Sequence, residues 1–282
     1  MPVAVVTDST AYLPAELRGS YELTVVPLTV IINGADGLEG IEIQPAEVAR
    51  ALGERRAAVS TSRPAPAQFA AAYRELLDGG ADGIVSVHLS SRLSGTHEAA
   101  ELAAAEFGSR VEVVDSHTTG MGLGFAALAA SAAARQGQDL VSVRREAVEN
   151  AERVSTLFYV DTLEFLRRGG RIGAASALLG TALSVKPILH VVDGAIVVKD
   201  RVRTAGRALA KLVDLAVEAS GEGAVDIAVH HLQAPDRAAA LADQVIMRLG
   251  DRLRDCYITE IGAVVAAHVG PGVAGIVVHR RA

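Results

Sequence analysis

Short apolar runs alternate with helix-patterned segments through the first half of this chain, and that alternation leaves few folds open. Residues 4–6, 23–32, 57–60, 83–85 and 111–114 read as strands. Residues 45–52, 66–78, 99–106, 120–134 and 140–153 read as helices, with Phe69, Tyr73, Leu76 and Leu77 at helical spacing in the second of these. Strands alternating with helices predict a parallel sheet with helices on both faces. The second half follows another pattern. Residues 188–192 and 195–198 flank Asp193-Gly194, a two-residue hairpin signal, and further strands at 158–160, 225–230, 257–261 and 273–278 are interspersed with helices at 162–168, 205–219 and 235–249. This half predicts an α+β domain with a mostly antiparallel sheet. The expected organisation is a parallel α/β domain over residues 1–153 and an α+β domain over 154–282. At 282 residues the chain is long enough to give each half its own core.

Composition excludes several classes of function. The net charge of −6 argues against nucleic acid as a partner. No apolar stretch reaches the length of a membrane span, so stable membrane insertion is not expected. The first residues, Met1-Pro2-Val3-Ala4, lead directly into a strand without a basic leader, and the cytoplasm is the expected compartment. Cys256 is the only cysteine, which rules out an intrachain disulfide and a cysteine-based zinc site. No metal site and no cofactor are expected. Gly120-x-Gly122-x-Gly124 places its third glycine one position early for a dinucleotide fingerprint, so close helix packing is the better reading. No phosphate-binding P-loop and no G-x-S-x-G nucleophile elbow occur.

Four groups of residues remain as candidates for chemistry. Ser90, Ser91, Ser94 and Thr96 crowd the turn between a strand and a helix, where free N–H groups and the helix dipole favour an anion. Thr61 and Ser94 each follow a strand of the first half, where ligands of open α/β sheets bind. Each is equally readable as a helix cap. Arg171 follows Arg167-Arg168-Gly169-Gly170, and His268 precedes Gly270-Pro271-Gly272. Arginine suits a carboxylate or phosphate, whereas a lone histidine beside an apolar run is as readily a hydrogen-bonded core residue. Lys199, Arg201, Arg203 and Arg207 form a basic patch, either a solvated face or a docking surface. Asp8 and Asp115 end strands and are either turn caps or, with Ser94, the acidic groups of an enzyme acting on small acids or phosphates.

Taken together the motifs resemble the DegV family of bacterial fatty-acid-binding proteins. The resemblance runs from Val5-Val6-Thr7-Asp8-Ser9-Thr10 through Thr61-Ser62-x-Pro64 to Leu89-Ser90-Ser91-x-Leu93-Ser94-Gly95-Thr96. It continues in Val114-Asp115-Ser116, Met121-Gly122-Leu123-Gly124, Leu166-x-x-Gly169-Gly170-Arg171-Ile172, Lys186-Pro187-Ile188-Leu189 and His268-x-Gly270-Pro271-Gly272. It implies a two-domain protein that holds one long-chain fatty acid at the domain interface. Thr61 and Ser94 would hold the carboxylate, with Arg171 and His268 completing the polar network. It further implies a non-catalytic subunit that presents the fatty acid to a separate ATP-dependent kinase for conversion to acyl-phosphate in phospholipid metabolism. Arg201 and Arg203 are then the expected docking residues. A stand-alone lipid carrier is the alternative within the same family. A chain of roughly 14 methylenes gains on the order of 11 kcal/mol from burial at about 0.8 kcal/mol each, so the tail would supply the affinity and the carboxylate the orientation. Arg63 stands where the family commonly has glutamine, an additional positive charge next to Thr61 in sequence.

Overall fold

The computed structural model describes residues 2–54, 57–178 and 185–282. In chain order the elements begin with β1 (Val3–Asp8), α1 (Ala15–Ser20), β2 (Leu23–Val26), β3 (Thr29–Ile32), β4 (Ala35–Leu38), α2 (Pro45–Gly53) and β5 (Val59–Ser62). They continue with α3 (Pro66–Asp78), β6 (Gly83–His88), α4 (Thr96–Ala104), β7 (Val111–Asp115), α5 (Met121–Arg135), α6 (Leu140–Glu152) and β8 (Val154–Tyr159). The rest are α7 (Glu164–Arg168), β9 (Lys186–Val192), β10 (Ala195–Val202), α8 (Ala205–Ala219), β11 (Val225–His231), α9 (Pro235–Leu249), β12 (Leu253–Glu260), α10 (Ala263–Val269) and β13 (Ala274–Arg280). The chain forms two compact units. The first comprises Met1–Thr29 and Ser62–Glu152, the second Val30–Thr61 and Arg153–Ala282. Residues 30–61, expected with the first half, therefore pack with the second.

The reason lies at Pro27. The β-branched run 23–32 reads as one strand, but proline has no N–H for a ladder, and the run divides into β2 and β3 around it. β2 joins the parallel sheet of the first unit, ordered β2-β1-β6-β7. β3 lies at the centre of a separate small sheet, β4-β3-β5.

In the first unit Val6, Ile84 and Val111 pack with Phe69, Ala70 and Tyr73 of α3 and Ala99, Ala100 and Ala103 of α4. α5 and α6 pack together against the sheet, α5 on β1 and α6 on β6 and β7. α5 is built of small residues and is buried along most of its length. A Cβ on Gly124 would stand 3.0 Å from the Ala11 carbonyl oxygen and 3.1 Å from Leu13, so the glycine-rich stretch does serve close packing.

A polar chain runs through this otherwise apolar layer. The Tyr73 hydroxyl donates to Ser86 Oγ (2.8 Å), and Ser86 Oγ lies 2.7 Å from His88 Nε2. His88 Nδ1 lies 3.0 Å from Asp8 Oδ2, which also accepts the Leu89 N–H. Asp8 Oδ1 accepts the N–H and the hydroxyl of Thr10. With Tyr73 donating, Ser86 donates to Nε2 and His88 donates from Nδ1, so a neutral imidazole satisfies every member. Serine, histidine and aspartate stand in nucleophile order here, yet all three are fully buried. Burial raises the Tyr73 hydroxyl well above its ordinary pKa, so it stays protonated and keeps donating.

The second unit has a six-stranded sheet ordered β10-β9-β8-β13-β11-β12. Its pairings are antiparallel except β11 with β12, which run parallel. The β9–β10 hairpin turns at Asp193 and Gly194, with φ of 47° and 78°, as a primed turn requires. α8 and α9 cover one face of the sheet, burying Leu212, Val213 and Leu215 and Leu241, Val245 and Leu249 against Ile227, Val229 and Ile276. α10 lies against α2 and α7. The sequence suggests no helix there, because 263–269 is short and apolar but for His268.

Asp8→Ala leaves His88 Nδ1, the Leu89 N–H and both Thr10 donors without their acceptor. The expected loss is about 3 kcal/mol or more in urea unfolding, at about 1–3 kcal/mol for each buried donor left without an acceptor. A loss below about 1 kcal/mol would show that water or repacking replaces the carboxylate.

Candidate functional site

Thr61 lies in β5, in the small sheet of the second unit rather than in the parallel sheet. It caps no helix, since α3 starts five residues later behind Ala65. Its Oγ1 is 2.8 Å from His268 Nε2. His268 belongs to the last turn of α10, and the Glu39 carboxylate accepts the Val264 N–H at the start of that helix (2.7 Å). Glu39 is itself buried. The sequence gives no sign of this role, because Glu39 and Val264 are 225 positions apart.

The imidazole packs on the backbone of Gly169, where any Cβ would collide with His268 Nδ1. This requirement for glycine comes from the close approach of the ring. Arg171 follows two residues on and donates to the Gly169 carbonyl. Burial, with the Arg171 charge second, lowers the His268 pKa to about 4, so the ring is neutral near pH 7. Its Nδ1 is buried and has no hydrogen-bond partner among the described residues. A neutral imidazole carries one N–H. If Nε2 holds it, Nε2 donates to Thr61 and the Thr61 hydroxyl proton is free to reach an acceptor. Thr61, Arg171 and His268 are thus brought together from three distant segments.

Ser94 belongs to the first unit. Its Oγ is 2.9 Å from Thr96 Oγ1, and its N–H, like that of Leu93, donates to the Ser90 carbonyl. The N-cap of α4 is Gly95, so Ser94 is not the helix cap. Ser90 Oγ accepts the Arg92 N–H, and the Ser90 N–H donates to the Thr118 carbonyl. Ser90 and Thr96 are both buried and fix the turn that carries Ser94. Arg63 is ion-paired with Glu98 in the first turn of α4 and also donates to the Gly95 carbonyl. Its extra charge is therefore matched within the first unit.

Asp8 is fully buried and occupied by the bonds described above. Asp115 accepts the N–H groups of His117 (2.8 Å) and Ser91 (3.2 Å). Both carboxylates hold turns. Among the described residues no group of three or more His, Cys, Asp or Glu side chains is placed to hold a metal ion. No helix among them is long and apolar enough to cross a membrane.

Arg201 is the last residue but one of β10, and Arg203 follows the strand. Both are exposed and without an ion pair among the described residues. Lys199 and Arg207 are also exposed, while Lys211 pairs with Asp200 (3.4 Å).

The state of His268 has a consequence for stability. Its folded pKa of about 4 lies below the ordinary 6.5. As pH falls through 6.5 the unfolded chain takes up the proton first, so stability present above that pH is lost progressively toward pH 4. The fall in unfolding free energy between about pH 7 and pH 4.5 is expected to be about 1–3 kcal/mol smaller in His268→Asn than in the parent. Equal falls in the two proteins would mean that the ring is not held neutral.

Comparison with known proteins bears on the whole chain. A family model described as an uncharacterised protein of the DegV family matches residues 2–281. A DegV domain-containing protein of Streptomyces coelicolor is 52% identical over 282 residues, covering 99% of both chains. A DegV family protein of Thermus thermophilus, whose structure is described as binding fatty acid, superposes with a TM-score of 0.93 at 37% identity over 100% of both chains. DegV of Bacillus subtilis, described as a fatty acid binding protein, has a TM-score of 0.89 at 31% identity, again over 100% of both chains. With its parallel and mixed sheets and the motifs around Thr61, Ser94, Arg171 and His268, the chain belongs to the DegV family.

Proposed function

We propose that this protein binds a long-chain fatty acid and holds its carboxylate through the hydroxyls of Thr61 and Ser94. The observation that carries the proposal is the Thr61–His268 pair. A neutral His268 donates from Nε2 to Thr61 Oγ1, which turns the Thr61 proton outward toward an anion. Arg171 supplies positive charge beside that pair. The fatty-acid-binding relatives in Thermus thermophilus and Bacillus subtilis support the same ligand class. No residue of the site is assigned a catalytic role.

Mass spectrometry of an organic extract of the purified protein is expected to release a fatty acid of long chain. Hydrogen bonds to a charged group contribute about 1.5–3 kcal/mol. Thr61→Ala with Ser94→Ala should therefore weaken binding of a fluorescent fatty acid by at least about tenfold while leaving the unfolding transition in place. Unchanged affinity in the folded double variant would overturn the assignment of the carboxylate.

The finer reading is that the bound fatty acid is presented to a separate ATP-dependent kinase subunit, which converts it to acyl-phosphate. Arg201 and Arg203 supply the docking charge, two exposed cations without an ion pair among the described residues in a chain of net charge −6. Arg201→Glu with Arg203→Glu should reduce ATP-dependent acyl-phosphate formation, in lysate supplied with the loaded protein, by about tenfold or more. Fatty-acid affinity should not change. Acyl-phosphate formation at the parent rate would remove these arginines from docking, and its absence with the parent protein would favour a stand-alone carrier.

A further inference from the structure

The segment around α7 and the turn that ends α10 lock together through glycines. His268 packs on Gly169, where a Cβ would collide with its Nδ1. In the other direction, Phe165 of α7 packs on Gly270, and the Asp161 carboxylate packs on Gly272. A Cβ at either glycine would collide with the side chain that covers it. Gly270 and Gly272 have φ of 73° and 84°, so each position meets a second demand for glycine. α10 has only seven residues, and a helix that short takes its direction from such contacts.

Asp161 anchors this lock to the six-stranded sheet. It stands two residues beyond β8, whose last residue, Tyr159, is fully buried in the core. The Tyr159 hydroxyl donates to Asp161 Oδ1. Burial raises the Tyr159 pKa well above its ordinary value, so the hydroxyl keeps its proton and keeps donating. Lys186, the first residue of β9, lies 3.3 Å from the same oxygen and donates to the Asp161 carbonyl (2.9 Å). Both partners use Oδ1, and Oδ2 is the atom that meets Gly272. Arg237 of α9 holds the same glycine by donating to its carbonyl (3.0 Å). The Gly270 N–H closes α10 on the Ala266 carbonyl (2.8 Å). The turn that ends the helix of His268 is thus tied to two strands and to α9.

We propose that Asp161 is a positioning residue, which sets the turn at Gly270 and Gly272 and thereby holds the His268 ring on Gly169 with Nε2 toward Thr61. Its consequence for ligand binding rests on Thr61 being a carboxylate ligand. His268 Nδ1 has no hydrogen-bond partner among the described residues, so one bond, to Thr61, orients the ring and packing does the rest. Arg171 is the charge that bears on the ring, while Arg167 and Arg168 are both paired with Glu164. The Asp161 charge is matched by Lys186, so Asp161 acts on the ring through the turn rather than through its field.

Titration of the His268 ring, followed by NMR on the full chain, tests this role without any ligand. The ring signal is the one missing from His268→Asn. In Asp161→Ala the turn is released and the ring gains access to water, so its midpoint should rise from about 4 to above about 5. Asp161→Asn keeps an acceptor for Tyr159 and the same bulk on Gly272, and should titrate like the parent. Lys186→Met, at a partly exposed residue, should shift the midpoint in the same direction by a smaller amount, and it supplies the test if Asp161→Ala does not fold. Affinity for a fluorescent fatty acid should fall about three- to tenfold in Asp161→Ala and return in Asp161→Asn. A parent-like titration in folded Asp161→Ala, or in Lys186→Met where the alanine variant does not fold, overturns the proposal. So does an equal shift in Asp161→Asn, which would make charge rather than packing responsible. A shifted ring with unchanged affinity leaves Asp161 positioning His268 and overturns the role of Thr61 instead.

Discussion

A hydrogen bond between residues 207 positions apart determines what the candidate site can do. Thr61 and His268 meet because β5 and α10 belong to one compact unit, and Glu39 ties the same stretch of chain to the start of α10. A buried imidazole beside an arginine is costly to protonate, so the ring remains neutral and has one proton to place. Placing it on Nε2 makes Thr61 a donor toward an anion. With its proton on Nε2, one histidine thus sets the polarity of a hydroxyl that the sequence alone shows only as one more threonine after a strand.

The first unit solves the complementary problem of building a rigid turn. Asp8 is removed from solvent and used wholly as an acceptor, joining the end of β1 to the segment after β6 through His88 and Leu89. Ser90 and Thr96 then close the turn that carries Ser94. The small side chains of α5 let that helix approach the sheet closely. A polar chain fully satisfied within an apolar layer is specific as well as stabilising, because any shift of one strand would leave several buried groups unpaired.

Much of this was legible from local pattern. Helices 66–78, 205–219 and 235–249 have the bounds expected from their spacing, and the Asp193-Gly194 hairpin turns where its dipeptide indicates. What was not legible is non-local. The division of 23–32 at Pro27 and the departure of 30–61 to the second unit depend on which sheet each half-strand joins. The helix of His268 was hidden because seven residues, all apolar but the histidine, have no amphipathic period to read. The role of Glu39 depends on a partner 225 residues away.

The sequence by itself determined the strand–helix order, the hairpin, the family motifs and the identity of the candidate residues, because these follow from local periodicity, turn chemistry and residue type. Only the tertiary structure decided that Thr61 leaves the parallel sheet, that His268 is buried and neutral against Gly169, and that Asp8 and Asp115 accept the N–H groups of nearby turns. Each of these depends on burial and on partners far away in the chain, which a pattern of neighbouring residues does not encode.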